Sequence, residues 1–318
     1  MFAYIVRRVL QAVVVILLVS IIVFLALRLL PGDPIYLLLT SEELQTKTEQ
    51  EVQLLREEYG LDRSLAVQYF DWLGGAVHGD FGTSIRFRFS VGALILEKVP
   101  LTLHLGILAF ILAHVFGISA GVVSAVRRGS WQDTVVTVLA NIGITVPIFW
   151  LGIMMIYLFA VYLNWLPVMG YTSPFDDFWL STRQLIMPVV CLAIMPMASA
   201  ARQTRSSMLE VMHMDYIRTA WSKGLTEKNV IIRHAMKNGL IPVFTLLGLH
   251  LSTIIGGSVL IETVFNLPGM GRLAVSSVLN RDYLVTQGIT VIIAATIIFI
   301  NLIIDIAYGW LDPRIRYD

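Results

Sequence analysis

The sequence predicts an all-α protein that crosses a membrane about six times, with both termini on the cytoplasmic side. Its composition, a series of long apolar runs, and the placement of basic residues between those runs lead to this fold class. Of the 318 residues, 57% are hydrophobic and 14% are charged, whereas a soluble domain carries roughly a quarter charged residues. This composition excludes an ordinary water-soluble enzyme. The net charge of +1 predicts no nucleic-acid partner.

Six runs are apolar enough to cross a bilayer, which takes about 20 residues. The first is predicted to be a retained anchor, because it is long for a signal peptide and no small-residue cleavage site follows it. The fourth contains Pro188 and Pro196, which membrane helices tolerate when neighbours satisfy the freed carbonyl groups. The runs cover residues 9–30, 101–126, 135–163, 185–201, 240–261 and 285–310.

Basic residues set the predicted orientation, because short cytoplasmic loops are enriched in Lys and Arg. Arg7 and Arg8 precede the first run, Arg127 and Arg128 join the second to the third, and the link between the fourth and fifth is rich in both residue types. Six crossings put these groups and the basic C-terminal end on one side. The segment 31–98, where acidic residues outnumber basic ones, is then external, with one or two short surface helices.

The predicted organisation has three parts. Residues 1–30 form an N-terminal anchor helix, and residues 31–98 form the external segment. Residues 99–318 form a five-helix core with a cytoplasmic coupling loop at 206–237.

The cytoplasmic link is predicted to form two short helices with a hinge between them. Asp215 is placed to cap the first helix, Lys223 to face the negative end of its dipole, and Gly224 to end it in the left-handed conformation. Thr226 is placed to cap a second helix that runs toward Pro242. An ordered link between two spans indicates a docking element, which a soluble partner could push as a lever.

The run DYIRTAWSKGL, followed by RHAMKNGLIPV, resembles the coupling loop, or EAA loop, of binding-protein-dependent ABC importer permeases. Arg218, Thr219 and Ala220 stand where the general motif has Glu-Ala-Ala, as they do in the dipeptide, oligopeptide and nickel permease subgroup. Gly224 stands at the glycine of the motif. The resemblance covers the whole chain. The pattern of motifs is similar to that of the first permease subunit of such systems, the dipeptide-permease B-like subunit. Further matching stretches lie at 31–34, 59–62, 79–82, 262–273, 282–283 and 312–317.

The resemblance implies a type I ABC importer permease, multi-pass in a bacterial or archaeal cytoplasmic membrane, that forms half of a translocation path for di- or oligopeptides. Permeases of this pattern also carry nickel chelates, glutathione or oligosaccharides. The implied partners are a second permease subunit in a heterodimer, two ATPase subunits that bind ATP and Mg, an external solute-binding protein and membrane lipid. The residues implied to contact an ATPase are Asp215, Arg218, Thr219, Ala220, Lys223 and Gly224.

No cofactor is expected on this chain, because it contains no glycine-rich phosphate loop ending in Gly-Lys-Ser or Gly-Lys-Thr. A metal site is not expected either, because the histidines of the spans do not cluster and the single cysteine, Cys191, lies in an apolar run. Intramembrane catalysis is not expected, because His-Glu-x-x-His and Gly-x-Ser-x-Gly motifs are missing. The sequence therefore predicts no enzyme activity and no catalytic residues.

Polar residues within the spans are candidates for the translocation path, because they are costly at membrane depth. For the histidines His104, His114 and His250, the alternative is an interhelical hydrogen bond, worth about 0.6 kcal/mol on average. The small-residue pairs Gly117–Gly121 and Gly256–Gly257 predict close helix packing. The path candidates are Asn141, Thr145, His250 and Asn301.

The alternative of another class is a stand-alone secondary transporter. Such carriers often show internal repeats and ionisable residues near mid-membrane. The sequence shows no convincing repeat, and Asp305 is the only acidic residue well inside a span.

Overall fold

The computed structural model describes residues 2–29, 48–58, 60–84 and 88–311. Within these ranges the regular elements are helices, and one isolated bridge joins Thr83 to Ser90. Among the described residues, five helices are long and apolar enough to cross a membrane, and one bent pair can supply a sixth span. The predicted all-α polytopic fold class is therefore confirmed. The motifs at 31–34 and 312–317, Tyr59, and the side chain of Asp305 lie outside what the structure describes.

The helices are numbered here in chain order. They are α1 (Phe2–Arg28), α2 (Glu49–Glu58), α3 (Leu65–Val77), α4 (Val91–Val126), α5 (Trp131–Thr145), α6 (Ile148–Met155), α7 (Phe178–Met212), α8 (Asp215–Ser222), α9 (Glu227–Asn229), α10 (Met236–Gly239), α11 (Ile241–Thr245), α12 (Leu247–Val264), α13 (Met270–Leu279) and α14 (Tyr283–Leu311). The described residues also include the π-helical stretches Ile156–Tyr162, after α6, and Val230–Ala235, between α9 and α10.

The chain forms two compact units. Of the described residues, the first combines those up to Leu101 with Pro268–Leu302, and the second combines Thr102–Leu267 with residues 303–311. Pro268–Leu302 lies in the same unit as the N-terminal helices. The division into residues 1–30, 31–98 and 99–318 stays a prediction.

Two apolar clusters hold the first unit together. In one, Phe24 of α1 packs edge-on against Tyr69 of α3 with ring centroids 5.3 Å apart, and Trp72 completes the cluster. The Tyr69 hydroxyl shares a 2.8 Å hydrogen bond with Ser20 of α1. The other cluster joins α4, α13 and α14 through Val91, Ile95, Met270, Leu273, Val285 and Ile289.

The third predicted span, 135–163, is broken rather than straight. α5 and the helix that begins at Ile148 meet at an angle of 105°. Pro147 has no N–H to continue the helical ladder, and the residue before a proline avoids the helical region. Val146 accordingly has extended backbone, with φ of −71° and ψ of 126°.

The broken segment nevertheless runs antiparallel to α7 along most of its length. As the chain advances from α5 through α6, its partners on α7 move steadily from residue 205 back to residue 183. At 1.5 Å per residue these partners span about 33 Å, the thickness of a bilayer hydrocarbon core. The contacts of the bent pair therefore extend over the length of one crossing, and the pair is the sixth candidate span. The contact pairs are Asp133–Arg205, Gly143–Ala198, Met155–Cys191 and Trp165–Arg183.

The fourth span is longer and more regular than predicted. α7 continues through both Pro188 and Pro196 and extends to Met212, whereas the apolar run covers only residues 185–201. Its 35 residues correspond to about 53 Å of helix, well beyond the roughly 30 Å of a hydrocarbon core. The first part of the predicted coupling loop is thus a helical extension of the span.

Small residues bring α4 and α7 into close contact, as predicted for Gly117 and Gly121. A Cβ atom on Gly117 would lie 2.6 Å from the Met197 carbonyl oxygen, and one on Gly121 would lie 2.5 Å from that of Ala201. The prediction is wrong for Gly256, where an added Cβ would meet nothing within 4 Å.

Candidate coupling site

α8 rests on the ends of two membrane helices through a small apolar cluster, here called the seat cluster. Ile217 and Ala220, three residues apart and hence on one face of α8, are both buried in it. The predicted contact residue Ala220 is only 5% exposed, so its side chain seats the helix instead of facing outward. The other members of the cluster are Ala125 of α4, Met208 and Val211 of α7, and Val230 and Ala235 of the second helix.

The opposite face of α8 carries charged and polar side chains. Asp215, Arg218, Thr219 and Lys223, four of the predicted contact residues, are exposed. Asp215 and Arg218 approach to 3.7 Å, but both side chains remain largely in solvent, and such a pair contributes little to stability. These charges therefore remain accessible to a partner.

Gly224 ends α8 in the left-handed conformation, as predicted, with φ of +75°. Its N–H donates to the Trp221 carbonyl at 2.9 Å, and the Lys223 N–H donates to the Thr219 carbonyl at 3.1 Å. An added Cβ would meet nothing within 4 Å. The glycine is therefore required by its backbone conformation and not by lack of space.

The predicted side-chain caps are wrong. Met214 occupies the cap position of α8, and Asp215 lies in the first turn, where it complements the helix dipole. Thr226 does precede α9, but its side chain makes no capping hydrogen bond. The second helix continues through the π-helical stretch Val230–Ala235, so it is less regular than predicted.

Sequence reasoning missed three large side chains beside the charged face. Met214, Tyr216 and Trp221 are all exposed on or next to α8. Met214, Arg218 and Trp221 recur at helical spacing of four and three, which was the signal available in the sequence. Exposed aromatic and methionine side chains next to arginine are typical of the centres of protein interfaces.

An ion pair that the sequence analysis did not identify stands close to the seat cluster. Arg205 of α7 donates to both carboxylate oxygens of Asp133 in α5, at 2.6 and 2.9 Å. The same carboxylate accepts from the Ser124 hydroxyl of α4 at 2.5 Å and from the Gly129 N–H at 3.0 Å. One carboxylate therefore joins α4, the turn after it, α5 and α7. Arg205 lies one helical turn along α7 from Met208 of the seat cluster.

The path candidates of the second unit, Asn141, Thr145 and His250, do not line a common surface. Asn141 and Thr145 are exposed one turn apart on α5, where the Thr145 hydroxyl donates to the Asn141 carbonyl at 2.8 Å. Asn301 is partly exposed in the first unit. His250 is 4% exposed and lies in the packed interior of the second unit, so it does not line an open surface.

His250 instead joins three helices, which is the interhelical role weighed above. Its Nδ1 lies 3.0 Å from Nε2 of His114 in α4, and its Nε2 lies 3.1 Å from the Ser199 hydroxyl in α7. His114 Nδ1 lies 2.8 Å from the Phe110 carbonyl, which requires a proton on that nitrogen. Among the described residues, no group of three His, Cys, Asp or Glu side chains could hold a metal ion.

Two family descriptions match the chain. Residues 117–317 match the binding-protein-dependent transport system inner membrane component family, and residues 1–106 match the N-terminal part of the membrane component of such systems. The seat cluster and α8 lie within the first match.

Individual relatives and a solved structure agree with these matches. A peptide transport system permease protein of Brucella abortus (strain 2308) is 45% identical over 321 residues, with 100% of both chains covered. The oligopeptide transport system permease protein AppB of Bacillus subtilis (strain 168) is 42% identical over 320 residues, again with 100% of both covered. The MetNI methionine ABC transporter in an inward-facing conformation shares the fold, with a TM-score of 0.57 at 18% identity over 69% of this chain and 96% of that chain. The chain therefore belongs to the binding-protein-dependent transport system inner membrane components, and it has the fold of an ABC importer permease.

Proposed function

We propose that this chain is one of two permease subunits of an ATP-driven peptide importer, and that α8 is the helix through which the ATPase subunits move it. The observation that carries the proposal is the two-sided build of α8. One face is buried on the ends of α4 and α7, and the other presents exposed charged and aromatic side chains. A helix built this way can be held by a soluble partner and can press on the membrane helices beneath it.

The coupling would run through the seat cluster. Close-packed interiors transmit displacement because they have few voids. A shift of α8 therefore bears on Ala125 of α4 and on Met208 and Val211 of α7. The Asp133–Arg205 pair extends the same block to α5, which leads to the bend at Pro147.

We propose that α8 and the seat cluster lie on the cytoplasmic side of a bacterial cytoplasmic membrane. The support is the basic link that contains Arg218, Lys223 and Lys228, together with Arg127 and Arg128 in the turn after α4. With this orientation the segment 31–98 is external, and residues 206–237 contain the coupling loop.

The other parts of the assembly are supplied by other chains. A second permease subunit would complete the translocation path, two ATPase subunits would bind ATP and Mg and hydrolyse the nucleotide, and an external binding protein would deliver the substrate. The contacts with an ATPase would come from Asp215, Arg218, Thr219, Lys223 and the turn at Gly224, with Ala220 acting from beneath. Asn141 and Thr145, which are exposed on α5, remain the candidates for lining the translocation path.

Peptides are proposed as the substrate class because the full-length relatives are named as peptide and oligopeptide permeases. The test is uptake by the reconstituted assembly in liposomes, using labelled tri-alanine with ATP supplied on the ATPase side. Parallel arms offer a nickel chelate, glutathione and a malto-oligosaccharide. ATP-dependent accumulation of tri-alanine supports the proposal. Accumulation of another substrate alone would replace the substrate class, and ATP-independent uptake by this chain alone would favour the secondary transporter.

A further inference from the structure

The first unit contains a cavity of about 330 Å³ beside the C-terminal end of α1. Its walls come from α1, the end of α2, α3 with the segments that flank it, and the start of α14. They carry Arg28, Gln68 and Trp72, together with the carboxylates of Glu57, Asp71 and Asp80. The volume is at the lower end of the range for small-molecule sites.

Arg28 brings a positive charge into this wall without a carboxylate bound to it among the described residues. Its Nε donates to Gln68 Oε1 at 3.1 Å and its Nη1 donates to Gln287 Oε1 at 3.2 Å. The guanidinium also lies over the ring of Phe24, 3.9 Å from the centroid. Two of its five N–H donors are used by neutral amides, and the remaining donors are available to a ligand.

Two neighbouring side chains hold further donors that have no acceptor. Trp72 is 9% exposed and Gln287 is 0% exposed, and neither Trp72 Nε1 nor Gln287 Nε2 has a hydrogen-bond partner. The bond from Arg28 fixes the Gln287 amide so that its oxygen faces the guanidinium. A buried donor without an acceptor destabilises a fold. Of these groups, Arg28 and Trp72 line the cavity, and both have donors that lack an acceptor, which an oxyanion would supply.

The carboxylates indicate that the ligand also carries a positive group. Asp71 is paired with Arg63 at 2.8 Å. The other carboxylates of the wall are Glu57 and Asp80, and Asp80 Oδ1 accepts from the Gly82 N–H at 2.9 Å. We propose that the cavity binds the oxyanion of a zwitterion at Arg28 and Trp72, with the ammonium group of the same molecule held by Glu57 and Asp80. Phosphatidylethanolamine and a free dipeptide both have this chemistry.

The position of the cavity favours the lipid. Arg28 is the last residue of the candidate span Ile5–Arg28, which is the depth of phospholipid headgroups. The exposed side chains of Ile22, Leu25 and Leu29 give α1 an apolar surface near the cavity, along which acyl chains can lie.

The test measures binding of dioleoyl phosphatidylethanolamine and of Ala-Ala to the purified assembly in detergent, the lipid by native mass spectrometry and the dipeptide by equilibrium dialysis. The wild type is expected to bind one of the two, and the probe that binds identifies the source. Trp72→Phe keeps the ring but removes the donor, and it is expected to weaken binding about tenfold. Arg28→Gln is expected to abolish binding, and Trp131→Phe, which lies in the other unit, to leave it unchanged. Binding of neither probe, or equal binding by Trp72→Phe, would overturn the proposal.

A second readout separates the site from transport activity. Without a probe, Trp72→Phe is expected to unfold at the same temperature as the wild type or higher, because it removes an unsatisfied buried donor. With a saturating probe, the wild type is expected to gain more in unfolding temperature than the variant. Equal gains would count against the site even if peptide uptake were intact.

Discussion

Gly224 is needed at the end of α8 because of its backbone conformation. Its φ of +75° is a conformation that a residue with a Cβ enters at a cost of about 1–2 kcal/mol. The residue type and its place after a polar helix predicted this conformation from the sequence. The buried partners of α8 could not be identified in the same way, because Ala125 and Met208 lie on helices far away in the chain.

Replacement of Gly224 by valine is expected to leave membrane insertion intact but to raise the ATP hydrolysed per peptide imported. The strain shifts the end of α8, and with it the proposed contact with the ATPase. The measurement is the ratio of ATP hydrolysis to tri-alanine uptake in proteoliposomes. Gly79→Val is a matched control, because Gly79 has φ of +85° and equal free space but lies in the first unit. An unchanged ratio for Gly224→Val would contradict the role given to α8.

Neighbouring residues on opposite faces of α8 provide a second test at this scale. Ala220→Glu buries a charge in the seat cluster, which is costly without a partner, and it is expected to lower the unfolding temperature of the purified chain. Thr219→Glu places the same side chain on the exposed face and is expected to leave that temperature within error. Equal effects on thermal unfolding would mean that the face assignment is wrong.

At the scale of elements, the second unit is joined by contacts between helices far apart in sequence. Asp133 and Arg205 are separated by 72 residues, so the basic character of Arg205 is visible in the sequence but its partner is not. The bend at Pro147 could have been predicted from the sequence, because a proline marks the site. Apolar composition alone, however, favoured one straight span. α7 shows the opposite case, because two prolines pass through it without ending the helix.

Loss of the Asp133 charge is expected to lower the stability of the packing between α4, α5 and α7. Breaking a buried ion pair costs about 3–5 kcal/mol, and Asp133→Asn is expected toward the lower end because the Arg205 side chain is 31% exposed. Asp71→Asn breaks an ion pair with Arg63 whose two side chains are both 57% exposed and is expected to cost below about 1 kcal/mol. Thermal unfolding of the two variants in detergent measures the difference. A smaller effect for Asp133→Asn than for Asp71→Asn would contradict the structural role of the pair.

At the scale of the whole molecule, apolar runs and turn residues were sufficient to predict the helical class and the order of the spans. The lengths of the apolar runs predicted the spans, and the resemblance of the coupling loop indicated the family. The division into two units could not be predicted, because it depends on Pro268–Leu302 packing with residues from the other end of the chain. The bent pair follows α7 from residue 205 back to residue 183, and the orientation of the spans stays a prediction.

Orientation is tested by labelling single cysteines in intact cells. A cysteine at Gln53, which is exposed in α2, is expected to react with a membrane-impermeant maleimide from outside. A cysteine at Lys228, exposed after α8, is expected to react only once the inner face is opened. The native Cys191 is buried and provides a silent background. The reverse pattern would invert the topology.

The role of α8 is tested most directly by purifying the tagged chain from its native membrane and identifying the chains that accompany it. The wild type is expected to bring a second permease and ATPase subunits. A double variant, Met214→Ala with Trp221→Ala, is expected to keep the second permease and lose the ATPases, while Ile232→Ala, an exposed side chain in the second helix, keeps both. Retention of the ATPases by the double variant, or recovery of the wild type without any ATPase, would contradict the assignment of α8 as the coupling helix.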